Sequence, residues 1–135
     1  MILKQTISEV IEHQSDSLGS KSLGVQLYDS FVLVISGVRR CGKSTLLKQI
    51  LKSKFSQVLF LNFEDPRLSG FELSDFAKID ELTKETQPEV LAFDEIQNVP
   101  DWEKYIRTKQ DEGQQVIVTG SNASLLSKEF GTRLT

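Results

Sequence analysis

The residues best suited to chemistry lie in a glycine-containing loop that follows a short apolar run. Gly37 and the sequence Gly42-Lys43-Ser44-Thr45 match the spacing of a phosphate-binding loop, G-x-x-x-x-G-K-[ST]. An apolar segment over 31–35 precedes the loop and an amphipathic segment over 46–52 follows it, which is the strand-to-helix setting that the motif requires. An ordinary glycine turn before a helix is the alternative. Four specified positions in the correct setting favour a phosphate loop.

The parts of this loop have different predicted tasks. The backbone N–H groups of residues 38–44 would surround a phosphate, because Gly37 and Gly42 lack a Cβ and let the chain approach closely. The N-terminus of the next helix would add the positive end of its dipole. Lys43 would bridge the β and γ phosphates, and the Ser44 hydroxyl would complete the shell of an Mg²⁺ ion. Thr45 is a weaker candidate for an α-phosphate contact.

Two carboxylates form a second chemical element. Asp94 and Glu95 directly follow an apolar strand predicted over 89–93. Asp94 would bind Mg²⁺ through its water shell, whereas Glu95 would orient and polarise the water that attacks the γ phosphate. A charged turn at the end of a strand is the alternative interpretation. The predicted catalytic residues are therefore Glu95 and Lys43, and the predicted metal ligands are Ser44 and Asp94.

A third polar group follows the predicted strand over 115–119. Thr119, Ser121 and Asn122 can each donate a hydrogen bond, and any of them could sense a γ phosphate between the loop and the catalytic carboxylate. Alternatively, Ser121 or Asn122 only caps a following helix over 123–130. The full set of predicted nucleotide-binding residues is Gly37, Val38, Arg39, Arg40, Cys41, Gly42, Lys43, Ser44, Thr45, Ser121 and Asn122.

An acidic pair at the end of another apolar segment allows two interpretations. Glu64 and Asp65 follow the strand predicted over 57–63, and acidic residues at the carboxyl end of a parallel strand lie on the ligand side of the sheet. A turn with a surface ion pair to Arg67 explains them equally well.

Periodicity supplies the elements that must position these residues. We predict a helix over 2–13, a flexible connection over 15–22, and an ambiguous segment over 23–30 that alternates like an edge strand. Strands are predicted from 31 onward and over 57–63, 89–93 and 115–119. Helices are predicted over 43–54, over 70–85 and after Asp101, which is the expected N-cap.

Composition narrows the functional class. The chain has 135 residues and a net charge of -3, which argues against a broad basic face for nucleic acid. Its single cysteine excludes an internal disulfide and a cysteine-based metal cluster, and favours a reducing cytoplasm. No signal peptide is recognisable, and the longest apolar run is too short to span a membrane. No protein or nucleic-acid partner is evident.

The three motifs together resemble a known family. Ser-Gly-Val-Arg-Arg-Cys-Gly-Lys-Ser-Thr-Leu-Leu, Phe-Asp-Glu-Ile-Gln-Asn-Val and Val-Thr-Gly-Ser-Asn-Ala-Ser-Leu-Leu are similar to sequences of the bacterial and archaeal AAA-domain ATPases in the AAA+ superfamily. The resemblance implies ATP binding, Mg²⁺-dependent hydrolysis and a three-layer α/β sandwich. It also implies a parallel sheet of the additional-strand, catalytic-glutamate type, with the sensor strand between the phosphate-loop and Asp94 strands. Gln97 belongs to the extended second motif, without a clear chemical role.

The match ends early. Members of that family continue into a fifth strand, a further helical region and a C-terminal domain, so we expect a truncated ATPase domain over 31–135 that lacks the last strand, preceded by a helix and connection over 1–30. The resemblance allows a homo-oligomer, in which Arg133 is the one residue late enough to reach a neighbouring subunit. A regulatory nucleotide-binding module with little hydrolysis and a small-molecule kinase are the alternatives. No N-K-x-D motif supports a GTPase.

Overall fold

A computed structural model describes residues 2–15, 32–37 and 42–121, together with the backbone of 132–134. The helices are α1 (Lys4–Ser15), α2 (Lys43–Lys54), α3 (Phe76–Thr86) and α4 (Trp102–Asp111). The strands are β1 (Val32–Ser36), β2 (Val58–Asn62), β3 (Val90–Asp94), β4 (Gln115–Gly120) and β5 (Thr132–Leu134). Short 3-10 turns cover Pro66–Leu68, Leu73–Asp75 and Ile96–Asn98. The segments predicted over 23–30 and 123–130, and the connection from 16 to 22, lie outside the described residues.

The strands form a parallel sheet in the order β2-β3-β4-β1-β5. β4 therefore lies between the phosphate-loop strand β1 and the carboxylate strand β3, as the family resemblance implied. The register pairs Ser36 with Gly120 and Asn62 with Asp94, so neighbouring strands end at nearly the same level. Because all strands run the same way, the loops that carry the predicted site residues leave from one edge of the sheet.

The expected absence of the last strand is corrected by β5. Thr132, Arg133 and Leu134 pair in parallel with Leu33, Val34 and Ile35 of β1. A segment of three residues is too short to show a strand periodicity in the sequence. It forms a strand because β1 has a free edge whose backbone N–H and C=O groups require partners.

Alternate residues of the strands pack against two different helical layers, which gives the three-layer sandwich. On one face, Leu33, Ile35 and Phe60 pack against Leu47 and Ile50 of α2. On the other face, β-strand residues pack with side chains of α1, α3 and α4, among them Ile7, Val10, Phe76, Ile79, Tyr105 and Ile106. The strands β1 to β4 are largely buried on both faces, which explains their nearly continuous apolar sequences.

Helix boundaries differ slightly from the sequence expectations. α1 continues to Ser15, and α3 begins at Phe76, after a separate 3-10 turn at Leu73–Asp75. Asp101 occupies the N-cap position of α4, but its side chain makes no capping hydrogen bond and its backbone has φ 59°. In the described part of the chain, no helix is long and apolar enough to cross a membrane.

The packing of α1 on the sheet can be tested with one core substitution. Ile7 of α1 is fully buried, whereas Leu3, directly before the helix, is 62% exposed. We expect Ile7→Ala to lower the free energy of unfolding by about 2–5 kcal/mol, because it removes buried methyl groups and leaves a cavity. Leu3→Ala is the matched control and should change it by less than about 0.5 kcal/mol. Chemical denaturation measures both, and equal effects would contradict the packing of α1.

Candidate active site at the carboxyl edge of the sheet

The site is built where the central strands β1, β3 and β4 end. Beyond the last strand pairs, the Gly37 N–H donates to the Gly120 carbonyl at 3.3 Å, which holds the start of the phosphate loop beside the end of β4. Gly42 then lies at the N-cap of α2 with φ 93° and ψ 5°. This left-handed backbone is freely available to glycine and costly for residues with a Cβ. Glycine is therefore favoured at position 42 because of the backbone conformation there.

Two side-chain pairs join α2 to the end of β3. Lys43 Nζ lies 2.7 Å from Glu95 Oε1, and both side chains are almost completely buried. The neighbouring Ser44 Oγ donates to Asp94 Oδ2 at 2.8 Å. The first turn of the helix after the loop thus faces the two consecutive carboxylates, and four residues predicted from two separate motifs lie together.

Thr119 ties the two carboxylates to β4. Its hydroxyl is fully buried, donates to Asp94 Oδ1 and accepts from the Glu95 N–H at 2.9 Å. A hydroxyl can do both at once because it has one donor and two lone pairs. Of the polar residues that the sequence left open, the described ones are Thr119, which is bonded to Asp94, and Ser121.

Glu95 is held by two further side chains. Ser121 Oγ lies 2.7 Å from both Glu95 carboxylate oxygens, and the Gln97 side-chain amide donates to Oε2 at 3.0 Å. Sequence reasoning included Ser121 but gave Gln97 no role. The only available signal for Gln97 was its place two residues after Glu95, which does not by itself predict a contact.

The backbone of Glu95 explains how its side chain reaches these partners. Glu95 has φ 56° and ψ 50°, a left-handed conformation that is unfavourable for a residue with a Cβ. Its carbonyl accepts from the backbone N–H of Asn98 at 3.3 Å and from the Asn98 side-chain amide at 3.2 Å. The strained turn at Glu95 ends β3. Hydrogen bonds of the Glu95 carbonyl and of the Glu95 N–H hold it in place.

The electrostatics of the site keep Glu95 ionised. Burial by itself would raise the pKa of Glu95, but hydrogen bonds from Lys43, Ser121 and Gln97 and the charge of Lys43 lower it to about 2. Each of these partners donates to the charged form. The carboxylate is therefore ionised at neutral pH while these partners contact it.

Some predicted site residues have a different position or none that can be given. Thr45 is exposed on the first turn of α2. Val38, Arg39, Arg40, Cys41 and Asn122 lie outside the described residues, as does the side chain of Arg133.

Asp65 belongs to a separate polar cluster, which supports the ion-pair interpretation of that turn. Its carboxylate accepts from the backbone N–H and Nε of Arg67, each at 3.0 Å, and from Arg67 Nη2 at 2.7 Å. Gln14 at the end of α1 also donates to Asp65 Oδ2, at 3.2 Å, and pairs with the Asn62 backbone. This cluster fixes α1 to the edge strand β2.

Comparison with known protein families shows to which family the chain belongs. A family model described as an AAA domain matches residues 29–135. The chain belongs to this family. It is a P-loop domain of the AAA type, and this membership supports nucleotide binding.

Two curated relatives show that the AAA domain occurs within longer proteins. An uncharacterized protein of Methanocaldococcus jannaschii is 40% identical over 119 residues, which is 85% of this chain and 26% of the relative. An uncharacterized protein of Haemophilus influenzae is 36% identical over 121 residues, which is 82% of this chain and 30% of the relative. The chain therefore spans less than a third of the length of these relatives.

Solved structures agree on the fold. The RuvB Holliday junction branch migration motor of Thermotoga maritima superimposes with a TM-score of 0.52 and 19% identity, covering 97% of this chain and 43% of RuvB. A single-residue variant of the same RuvB gives a TM-score of 0.50 and 20% identity, with the same coverage. At this level of identity the similarity concerns the AAA fold alone.

The Asp65 cluster generates a pH-dependent prediction. Hydrogen bonds from Arg67 lower the pKa of Asp65 below its ordinary value of 3.8. Because the folded pKa is the lower one, the ionised carboxylate stabilises the fold above the ordinary value, and this contribution is lost as the pH falls towards the folded pKa. We expect Asp65→Asn to lower the free energy of unfolding by about 1–3 kcal/mol at pH 7.

The deficit of Asp65→Asn relative to the wild type should shrink below about pH 4. Denaturant titrations at several pH values measure this, with the exposed Asp111→Asn as the control that should show no such convergence. A constant deficit across this range would contradict the stabilising role of the charged form.

Proposed function

We propose that this AAA domain binds ATP and hydrolyses it in an Mg²⁺-dependent reaction. One observation carries the proposal. The pairs Lys43 with Glu95 and Ser44 with Asp94 place a phosphate-binding cation, a hydroxyl ligand, a metal-binding carboxylate and a general base side by side. Membership of the AAA family supports nucleotide binding. The arrangement of the four side chains supports hydrolysis of the nucleotide.

Phosphate binding falls to the loop and to Lys43. Gly37 and Gly42 would flank a curl of backbone N–H groups over residues 38–44, and the N-terminus of α2 would point its free donors at the same anion. The Lys43 ammonium forms an ion pair with Glu95. Bound β and γ phosphates would take over this cation, because they offer it several charged oxygens.

The residues fit a magnesium ion. Ser44 Oγ and Asp94 Oδ2 are both hard oxygen donors and lie 2.8 Å apart, and Thr119 fixes the other Asp94 oxygen. Within the described ranges no cluster of three acidic, histidine or cysteine side chains supplies a complete cage. This suits Mg²⁺, which usually keeps several waters and is completed by substrate phosphates. When bound, the ion neutralises charge that develops on the phosphates.

Glu95 would act on the attacking water. Its carboxylate is ionised and accepts a proton while the water oxygen forms a bond to the γ phosphorus. The bond between the γ phosphorus and the bridging oxygen breaks, and ADP leaves with that oxygen. Glu95 then returns the proton to phosphate or solvent. Release of Lys43 to the phosphates frees one oxygen of Glu95 for this task.

The wider organisation of the protein follows from the same interpretation. We assign the ATPase domain to residues 31–135, preceded by an N-terminal helix and connection over 1–30. A homo-oligomer and a cytoplasmic location belong to the proposal as well, the first through the AAA family and the second through the single cysteine. A regulatory module that binds ATP without hydrolysis is the competing function, and the Glu95 substitution below separates the two.

Lys43→Ala tests nucleotide binding. Loss of the ammonium should weaken ATP affinity by about tenfold to a hundredfold, because a charged hydrogen bond contributes about 1.5–3 kcal/mol. Lys54→Ala, at the exposed end of the same helix, is the control and should bind like the wild type. Isothermal calorimetry measures affinity, and circular dichroism checks that Lys43→Ala remains folded. Unchanged affinity in the folded Lys43 variant would contradict the phosphate-loop assignment.

Glu95→Gln tests hydrolysis. The substitution keeps the shape of the side chain and removes the base, so Mg²⁺·ATP should remain bound while kcat falls by about 10²- to 10⁴-fold. Phosphate release measures turnover. Glu12→Gln on the exposed face of α1 is the control and should keep full activity. If both variants and the wild type bind ATP and none hydrolyses it, the regulatory module is the correct function.

A further inference from the structure

Gln97 contacts the Glu95 carboxylate, and none of the proposed reaction steps involves this contact. Its side-chain Nε2 donates to Glu95 Oε2 at 3.0 Å, on the carboxylate oxygen that Lys43 does not contact. Lys43 and Gln97 therefore hold opposite ends of one carboxylate group. When phosphates attract Lys43 away, Ser121 and Gln97 are the described side chains that still fix Glu95.

The orientation of the Gln97 amide is set by Glu95. A carboxylate only accepts hydrogen bonds, so the amide nitrogen and not the amide oxygen must face it. In this orientation Gln97 Oε1 is buried and, among the described residues, has no hydrogen-bond partner. A buried acceptor without a partner is unfavourable. The hydrogen bond that the Gln97 side chain makes here is the one to Glu95.

The turn itself does not need the Gln97 side chain. Ile96 and Val99 on either side of it are buried in the core, and Val99 N–H donates to the Ile96 carbonyl at 3.0 Å. Asn98 closes the turn through the Glu95 carbonyl. The backbone is thus fixed by its neighbours, and the Gln97 side chain is left to contact the carboxylate.

We propose that Gln97 is a positioning residue for the catalytic base, holding the Glu95 carboxylate in the orientation from which it activates water. This inference rests on the proposed function, because it gives Gln97 a role in the same reaction. Gln97 acts through Glu95 and touches neither phosphate nor metal. Its loss should slow the chemical step and leave nucleotide binding intact, since the ATP-binding groups on the loop and α2 keep their positions.

The kinetic test uses Gln97→Met, which keeps the length of the side chain and removes the donor. We expect kcat to fall by about tenfold to a hundredfold, which is less than the loss expected when the general base itself is removed. KM and the ATP dissociation constant should change by less than about twofold. Gln110→Met on α4 is the matched control and should behave like the wild type. A kcat of Gln97→Met equal to that of the control would overturn the proposal.

A double-mutant cycle shows whether Gln97 works through Glu95. In the Glu95→Gln background, Gln97→Met should cause little further loss in single-turnover rate, because the base it positions is already absent. The same fold-loss in both backgrounds would overturn the proposal. Gln97→Glu provides a second variant, and it should lose at least as much activity as Gln97→Met because two carboxylates would face each other.

A spectroscopic test is independent of turnover. In ¹⁵N-labelled wild-type chain, the side-chain amide of Gln97 should show one downfield-shifted proton from its bond to the carboxylate, and Glu95→Ala should abolish that shift. A Gln97 amide signal that does not respond to Glu95→Ala would overturn the inference. If the wild type binds ATP without hydrolysing it, the proposed function fails while this measurement still decides the Gln97 contact.

Discussion

Lys43 and Glu95 face each other at 2.7 Å with almost no access to solvent, and much of the site is arranged around this pair. Taking both charges out of water is costly, and a buried pair persists only when other hydrogen bonds support it. Here Ser121 and Gln97 donate hydrogen bonds to the Glu95 carboxylate, and the Thr119 hydroxyl accepts one from the Glu95 backbone N–H. The support comes from the end of β4 and from the turn after β3, so the pair connects otherwise separate parts of the sheet edge.

The same pair links the two proposed tasks of the site. The cation expected to bind phosphate and the base expected to activate water neutralise each other until a stronger anion competes for the lysine. Asp94 is held separately, by Ser44 on one oxygen and Thr119 on the other. The proposed metal binding and base activation thus fall on neighbouring carboxylates with different partners, and different partners can give consecutive acidic residues different chemistry.

This geometry depends on a sheet that is covered on both faces. α2 lies on one face and carries Lys43 and Ser44 at its first turn, while α1, α3 and α4 cover the other face. Placing β4 between β1 and β3 brings the Thr119 hydroxyl within reach of both acidic groups. The polar cluster around Asp65 then secures α1 to β2, the strand that pairs with β3. The helices that cover the sheet thus contribute to the site indirectly, because they hold the strands whose ends carry the site residues.

The sequence by itself determined the elements with strong periodicity and the chemistry of short motifs. Spacing predicted the phosphate loop from Gly37 to Thr45, and the run before Asp94 predicted a buried strand ending in carboxylates, because glycine conformation and apolar patterning are local properties. The tertiary structure decided what depends on contacts between distant segments. The position of β4 brings Thr119 to Asp94 and Ser121 to Glu95, and β5 formed on the free edge of β1. Gln97 reaches Glu95 only because a left-handed turn folds the chain back, and no local pattern encodes that turn.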